Sequence, residues 1–237
     1  MHILRSAVFL VLMMALTLPY GVFSPLLLMF PRQLRHSLIR TWARMVTPLA
    51  RVVLGIRYRV EGLENLPDTP VVFLSKHQSA WETIAFQVCL PPIVFVLKRE
   101  LLRIPFFGWG LKAYSPIAID RGAGREALKQ LVEQGQARLN DGFSVVVFPE
   151  GTRIAPGHKG TYQIGGAWLA CKAGAKIVPI AHNAGECWGK RALIKHAGVV
   201  TVKIGPAIDT AGRKPAEVNA AVEAWIEGQM AVLPKAR

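Results

Sequence analysis

Residues 71–82 read Val71-Val72-Phe73-Leu74-Ser75-Lys76-His77-Gln78-Ser79-Ala80-Trp81-Glu82, an apolar run that ends in a cluster of polar and titratable side chains. Such a run is what a strand buried on both faces requires, and the residues after it suit a helix start, so the stretch predicts a strand turning into a helix. An imidazole and a carboxylate stand five positions apart across that turn. Histidine takes up a proton near neutral pH, and a carboxylate on its other ring nitrogen would fix the tautomer and stabilise the imidazolium. Neither Ser75 nor Ser79 lies in a Gly-x-Ser-x-Gly elbow, so the pair reads as a base acting directly on a hydroxyl rather than as part of a serine-nucleophile triad. The structural alternative is that Glu82 is simply a favourable charge in a first helical turn.

Outward from this stretch the same alternation recurs. Strands are expected at 57–61, 70–75, 93–97, 116–120, 144–148, 176–181 and 199–204, where the residues are mostly β-branched and apolar, as buried strands require. Helical patterns separate them. Over 123–139, Leu128, Leu131, Val132 and Leu139 share a face while Lys129, Glu133 and Arg138 point away, and a last helix fits 215–231 with Pro215 at its start, where proline is tolerated. The expected fold is α/β: a mixed, largely parallel sheet flanked by helices. A chain of 237 residues has room for one such domain, placed at 51–237, and a short appendage at 1–50.

The appendage is expected to meet a membrane. Residues 6–30 carry no charge, and a helix of that length would extend about 37 Å at roughly 1.5 Å per residue, enough to cross a bilayer. Pro19 and Pro25 argue for two shorter segments dipping into one leaflet. A cleaved signal peptide is disfavoured because no Ala-x-Ala-like site follows the apolar run. Next come Arg32, Arg35, Arg40, Arg44 and Arg51 around Leu34, Leu38, Trp42, Met45 and Leu49, the pattern of a basic amphipathic helix facing anionic head groups or covering the core. The arginine excess on the C-terminal side predicts, by the positive-inside rule, that the rest of the chain lies in the cytoplasm.

Composition narrows the partners. Lys and Arg number 29 against 15 acidic residues, a formal charge of +14, which calls for an anionic partner such as a phospholipid surface or a phosphorylated substrate. A mean hydropathy of +0.30 sets nucleic acid aside. Cys89, Cys171 and Cys187 are odd in number and lack metal-ligand spacing, so free thiols and no metal are expected.

Three further stretches end expected strands: Ile117-Ala118-Ile119-Asp120-Arg121, Phe148-Pro149-Glu150-Gly151-Thr152-Arg153, and Val178-Pro179-Ile180-Ala181. Ligands of open α/β sheets gather at the carboxyl ends of strands. Glycine allows close backbone approach, and arginine offers a planar fork for phosphate oxygens; a tight turn closed by a Glu–Arg pair is the structural alternative for the second stretch. Gly122-Ala123-Gly124 before a helix imitates a dinucleotide fingerprint, but a charged Asp120-Arg121 pair abuts the first glycine and the unit is not the first βα turn.

His77-x-x-x-x-Glu82 together with these three stretches resembles, in order and spacing, the four motif blocks of the glycerolipid acyltransferase family, above all its bacterial members that acylate lysophosphatidic acid. The resemblance covers roughly residues 50–210, and the third block is highly specific. The family commonly has Asp where Glu82 stands and often an aromatic where Ala118 stands. The resemblance implies transfer of a fatty acyl chain from acyl-CoA or acyl carrier protein to the sn-2 hydroxyl of 1-acylglycerol 3-phosphate, with no other cofactor. It places His77 as base and Glu82 as its partner, with Arg121, Arg153 and Lys98 on the phosphate and Glu150, Gly151 and Thr152 shaping the glycerol end. The same chemistry on a lyso-aminolipid, or lipid binding without turnover, are the competing readings; a binding protein has no use for a poised base.

Overall fold

The computed structural model covers residues 1–237 and describes all of them except the side chain of Arg121. The role expected of that side chain therefore lies outside the described residues. The strands are β1 Ile56–Glu61, β2 Val72–Ser75, β3 Ile93–Lys98, β4 Ile117–Ile119, β5 Ser144–Val147, β6 Ile177–His182 and β7 Gly198–Ile204; the α-helices are α1 His2–Leu27, α2 Arg32–Leu49, α3 Trp81–Cys89, α4 Phe107–Tyr114, α5 Arg125–Asn140, α6 Gly165–Ala173 and α7 Pro215–Val232. The described strands form one sheet in the order β1-β7-β6-β2-β5-β3-β4. Neighbours pair in parallel except β6 and β7, so the expected mixed, largely parallel sheet is what forms.

Side chains alternate across a strand, so β2 feeds two cores. Phe73 packs with Trp81, Phe86, Val146 and Ile180 on the face that α2 and α3 cover. Val72 and Leu74 pack with Val145, Leu131, Leu169 and Val222 on the face that α5, α6 and α7 cover. Each fully buried side chain of this size contributes about 1.5–3 kcal/mol. Leu74 is level with both Val147 of β5 and Pro179 of β6. The chain therefore leaves β2, β5 and β6 along one edge, and that edge carries His77, Glu150 and the segment after His182.

The amino-terminal residues correct one expectation. α1 is one helix through Pro19 and Pro25 rather than two short segments. The Ser24 hydroxyl donates to the Gly21 carbonyl at 2.8 Å, the group an amide at Pro25 would have reached. Contacts along the helix hold the rest: Arg5 Nε donates to the Val53 carbonyl at 2.8 Å, Phe9 meets Trp188 edge-on at 5.4 Å, and Gly21 lies so close to Phe106 that a Cβ there would be 2.9 Å away. Packing of this extent outweighs a proline's local cost of about 3 kcal/mol. In α2 the buried positions are His36, Ile39, Ala43, Val46 and Thr47, whereas Leu34, Leu38 and Met45 face outward. Leu34, Leu38 and Met45 of the expected amphipathic pattern thus face outward, while Trp42 and Leu49 pack against the core.

His36 is the polar centre of the α2 contact. Its ring stacks on Tyr114 at 4.6 Å and its Nε2 donates to the Ile93 carbonyl at 2.7 Å. Burial lowers its pKa from 6.5 to about 4. The unfolded chain then takes the proton first as pH falls, so the stability owed to neutral His36 is complete above pH 6.5 and is lost progressively down to about 4, on the order of 3 kcal/mol in all. Denaturant titrations of detergent-solubilised protein between pH 7 and 4.5 should show this loss, and a His36→Gln variant should show a shallower slope over the same range.

Candidate active site

His77 leaves the end of β2, and Glu82 stands in the first turn of α3. That turn folds back so that Glu82 Oε1 accepts from His77 Nδ1 at 2.8 Å and from the backbone N–H groups of Gln78 and Ser79 at 2.9 and 2.8 Å. The carboxylate is fully buried. Burial pushes its pKa up, but the fields of His182 and His77, the bond from His77 and the Ser79 amide outweigh this and hold it below the ordinary carboxylate range. An ionised Glu82 keeps the proton of neutral His77 on Nδ1 and leaves Nε2 with a lone pair. Phe148 stacks on the imidazole at 3.9 Å, restricting the ring to one plane. His182 lies beneath: its Nε2 donates to the Lys76 carbonyl at 2.8 Å, and burial lowers its pKa.

Glu150 turns inward rather than toward a ligand. Its Oε1 meets Lys76 Nζ at 2.7 Å and the Gly160 amide at 3.2 Å, and its Oε2 accepts the His77 backbone N–H at 3.1 Å. Lys76 Nζ, only 1% exposed, also reaches Glu227 of α7 at 2.9 Å, and Glu227 accepts from the Tyr162 hydroxyl at 2.7 Å. This network ties the end of β2 to the turn after β5 and to α7. Sequence reading missed Lys76 and Glu227; a lysine two residues past the apolar run Val71–Leu74 was the available signal, since such a charge, once buried, must find a partner.

The exposed part of the site is a cavity of about 540 Å³. His77, Lys98, Gly151, Thr152 and Arg153 line it, so five expected residues meet at one opening. Behind them the walls are apolar, with Phe95, Leu101, Phe107 and Ile84 from the sheet side and Tyr20, Ile39 and Trp42 from α1 and α2. The amino-terminal helices are thus part of the site. Gly122 and Gly124 ease the turn from β4 into α5, where Asp120 Oδ1 accepts the Gly122 N–H at 3.0 Å and Gly124 has φ +51. Among the described residues no cluster of His, Cys, Asp and Glu could hold a metal. A base with its lone pair at the wall of a long apolar cavity, rimmed by cations, can deprotonate a hydroxyl on an amphiphile with an anionic head.

Comparison with known proteins agrees with this geometry. A family model described as acyltransferase matches residues 57–183, the span from β1 to the end of β6. The chain is 46% identical over 236 residues to the 1-acyl-sn-glycerol-3-phosphate acyltransferase of Pseudomonas aeruginosa, covering 96% of this chain and 91% of that one. It is 32% identical to the alpha form of 1-acyl-sn-glycerol-3-phosphate acyltransferase from Mus musculus, covering 75% of this chain and 64% of that one. Its fold is similar to the crystal structure of the 1-acyl-sn-glycerophosphate acyltransferase from Thermotoga maritima, with a TM-score of 0.79 at 22% identity over 98% of this chain and 95% of that one. With more than half its length matched by the family model, and the matched segment carrying both His77 and Glu150, the chain belongs to the acyltransferase family.

Proposed function

We propose that the protein transfers a fatty acyl chain from a thioester donor, acyl-CoA or acyl carrier protein, to the sn-2 hydroxyl of 1-acylglycerol 3-phosphate, giving phosphatidic acid. The observation that carries this is the 2.8 Å bond between His77 Nδ1 and Glu82 at the wall of an apolar cavity with a cationic mouth. His77 Nε2 takes the proton from the acceptor hydroxyl as its oxygen attacks the thioester carbon, and Glu82 stabilises the imidazolium that forms. The tetrahedral intermediate expels the thiolate, which takes the proton back from His77. The scheme uses no cofactor besides the thioester. Arg153 and Lys98 bind the acceptor phosphate, with Arg121 as the sequence assigns it, while Gly151 and Thr152 shape the glycerol end. Glu150 acts as a positioning residue, since its carboxylate holds the His77 backbone.

Residues 1–50 hold the enzyme at the lipid surface and 51–237 form the catalytic domain. α1 is long and apolar enough to cross a membrane, yet only 17% of its most apolar stretch is buried in the protein, which leaves an apolar outer face for lipid. Because the helix touches the domain from Arg5 to Gly21, it lies along the domain, so we favour insertion into one leaflet, on the cytoplasmic side of the inner membrane. Both acyl chains can then enter the cavity without crossing water. An acceptor screen with purified protein and labelled acyl thioester tests the reading. 1-Acylglycerol 3-phosphate should become phosphatidic acid, and Arg153→Ala should raise its KM about tenfold or more, the worth of a charge-assisted bond. Labelling of a lyso-aminolipid instead, with 1-acylglycerol 3-phosphate left unchanged, would overturn it.

A further inference from the structure

The proposed reaction brings two phosphate-bearing molecules to one opening, since the thioester donor carries a phosphopantetheine arm as well as the acceptor its phosphomonoester. Among the described residues the mouth carries four cations: Lys98, Arg153, Lys190 and Arg191. No carboxylate lies among the cavity-lining residues, and none of the four cations has a carboxylate partner among the described residues. Unpaired cations of this density repel one another, and an anionic ligand relieves that repulsion. The sheet order β6-β2-β5-β3 puts the segment after β6, with Lys190 and Arg191, on one flank of His77, and Lys98 at the end of β3 on the other.

The segment carrying Lys190 and Arg191 is anchored on both sides. Trp188 packs on Phe9 of α1, the Lys195 N–H donates to Ser6 Oγ at 2.9 Å, and Glu186 accepts the Ala236 N–H at 2.7 Å. Lys190 Nζ donates to Thr152 Oγ1 at 3.3 Å, beside Arg153. Arg191 itself is held at φ +55, a conformation uncommon for a residue with a side chain and concentrated at functional sites. Both side chains are nevertheless exposed, and apart from the Lys190 bond to Thr152 their charges face the opening.

We propose that Lys190 and Arg191, with the Thr152 hydroxyl, form a second phosphate subsite on the β6 flank of the mouth, distinct from the Lys98 and Arg153 flank. The proposal rests on the acyl-transfer reading above. Its ligand is the phosphate of the donor's phosphopantetheine arm, since the acceptor's phosphomonoester is taken by Lys98 and Arg153.

Initial rates of the full-length protein in neutral detergent micelles test this, varying each substrate at saturating levels of the other. The variant is Lys190→Ala/Arg191→Ala, whose positions are exposed enough to leave the fold intact. The donor KM should rise about tenfold or more while kcat stays within about twofold, the signature of lost binding common to ground and transition states. A rise in the donor KM identifies the phosphopantetheine phosphate, whereas a rise in the acceptor KM alone puts the lysolipid phosphate on this flank and overturns the proposal. The charge-conserving Lys190→Arg/Arg191→Lys variant should keep most of the parent KM. The subsite is overturned if neither KM moves, if both rise alike, or if kcat alone falls. The parent protein is assayed alongside: an inert parent sinks the acyl-transfer reading and the subsite with it, whereas an active parent with a kinetically unchanged variant sinks the subsite only.

Discussion

Replacing His77 by alanine is expected to lower acyl transfer by about 10² to 10⁴-fold while leaving the fold intact, the range that a positioned general base contributes. The side chain is partly exposed at the cavity wall, so its removal opens no sealed void. It does leave Glu82 Oε1 without the His77 bond, but the Gln78 and Ser79 amides at 2.9 and 2.8 Å remain on that oxygen. Circular dichroism and vesicle sedimentation should therefore match the parent, and kcat should carry the loss. Activity within a few-fold of the parent would remove His77 from the mechanism. Glu82→Gln should cost less, because an amide oxygen can still accept from Nδ1 but cannot neutralise the imidazolium. Glu82→Asp keeps the charge on a shorter arm and should cost least.

The second large effect is expected at Lys76. Substitution by methionine removes the cation that Glu150 and Glu227 share at 2.7 and 2.9 Å and leaves the Glu150 carboxylate buried without a counter-charge. Breaking such a pair from one side costs about 3–5 kcal/mol, a large part of the roughly 5–15 kcal/mol that holds a domain together. Lys76→Met should unfold at a much lower denaturant concentration than the parent. Lys76→Met/Glu150→Gln should recover part of that stability, because the orphaned charge is gone. Transfer should remain impaired in the double variant, since the bond from the His77 N–H to Glu150 Oε2 at 3.1 Å is weakened. Equal stability of parent and Lys76→Met would mean that the pair contributes nothing to the fold.

These two residues are adjacent in sequence, yet only one of them was legible there. His77 and Glu82 pair across five residues at a strand-to-helix turn, so the apolar run before them and the helix start after them suffice to bring the two side chains together. The strands were legible for a similar local reason: a strand buried on both faces, like Val72–Ser75, needs a short continuous apolar run. The four suggestive stretches at strand ends followed from that alternation, and Gly151, Thr152 and Arg153 do line the cavity with His77.

What the tertiary structure decided depends on partners distant in the chain. Lys76 meets Glu150 and Glu227 from 74 and 151 positions away, and this turns Glu150 from an apparent ligand into a buried support. Lys190 reaches Thr152 across 38 positions, which no local pattern encodes. The proline cost in α1 could be read locally, but the contacts of Arg5, Phe9 and Gly21 that outweigh it could not. In α2 the period of apolar residues is a local property, whereas the choice of inner face depends on what each face meets. The inner face of α2 combines His36, Ala43 and Thr47 with Ile39 and Val46, side chains that fit the close approach to the domain, and this leaves Leu34 and Leu38 on the outside.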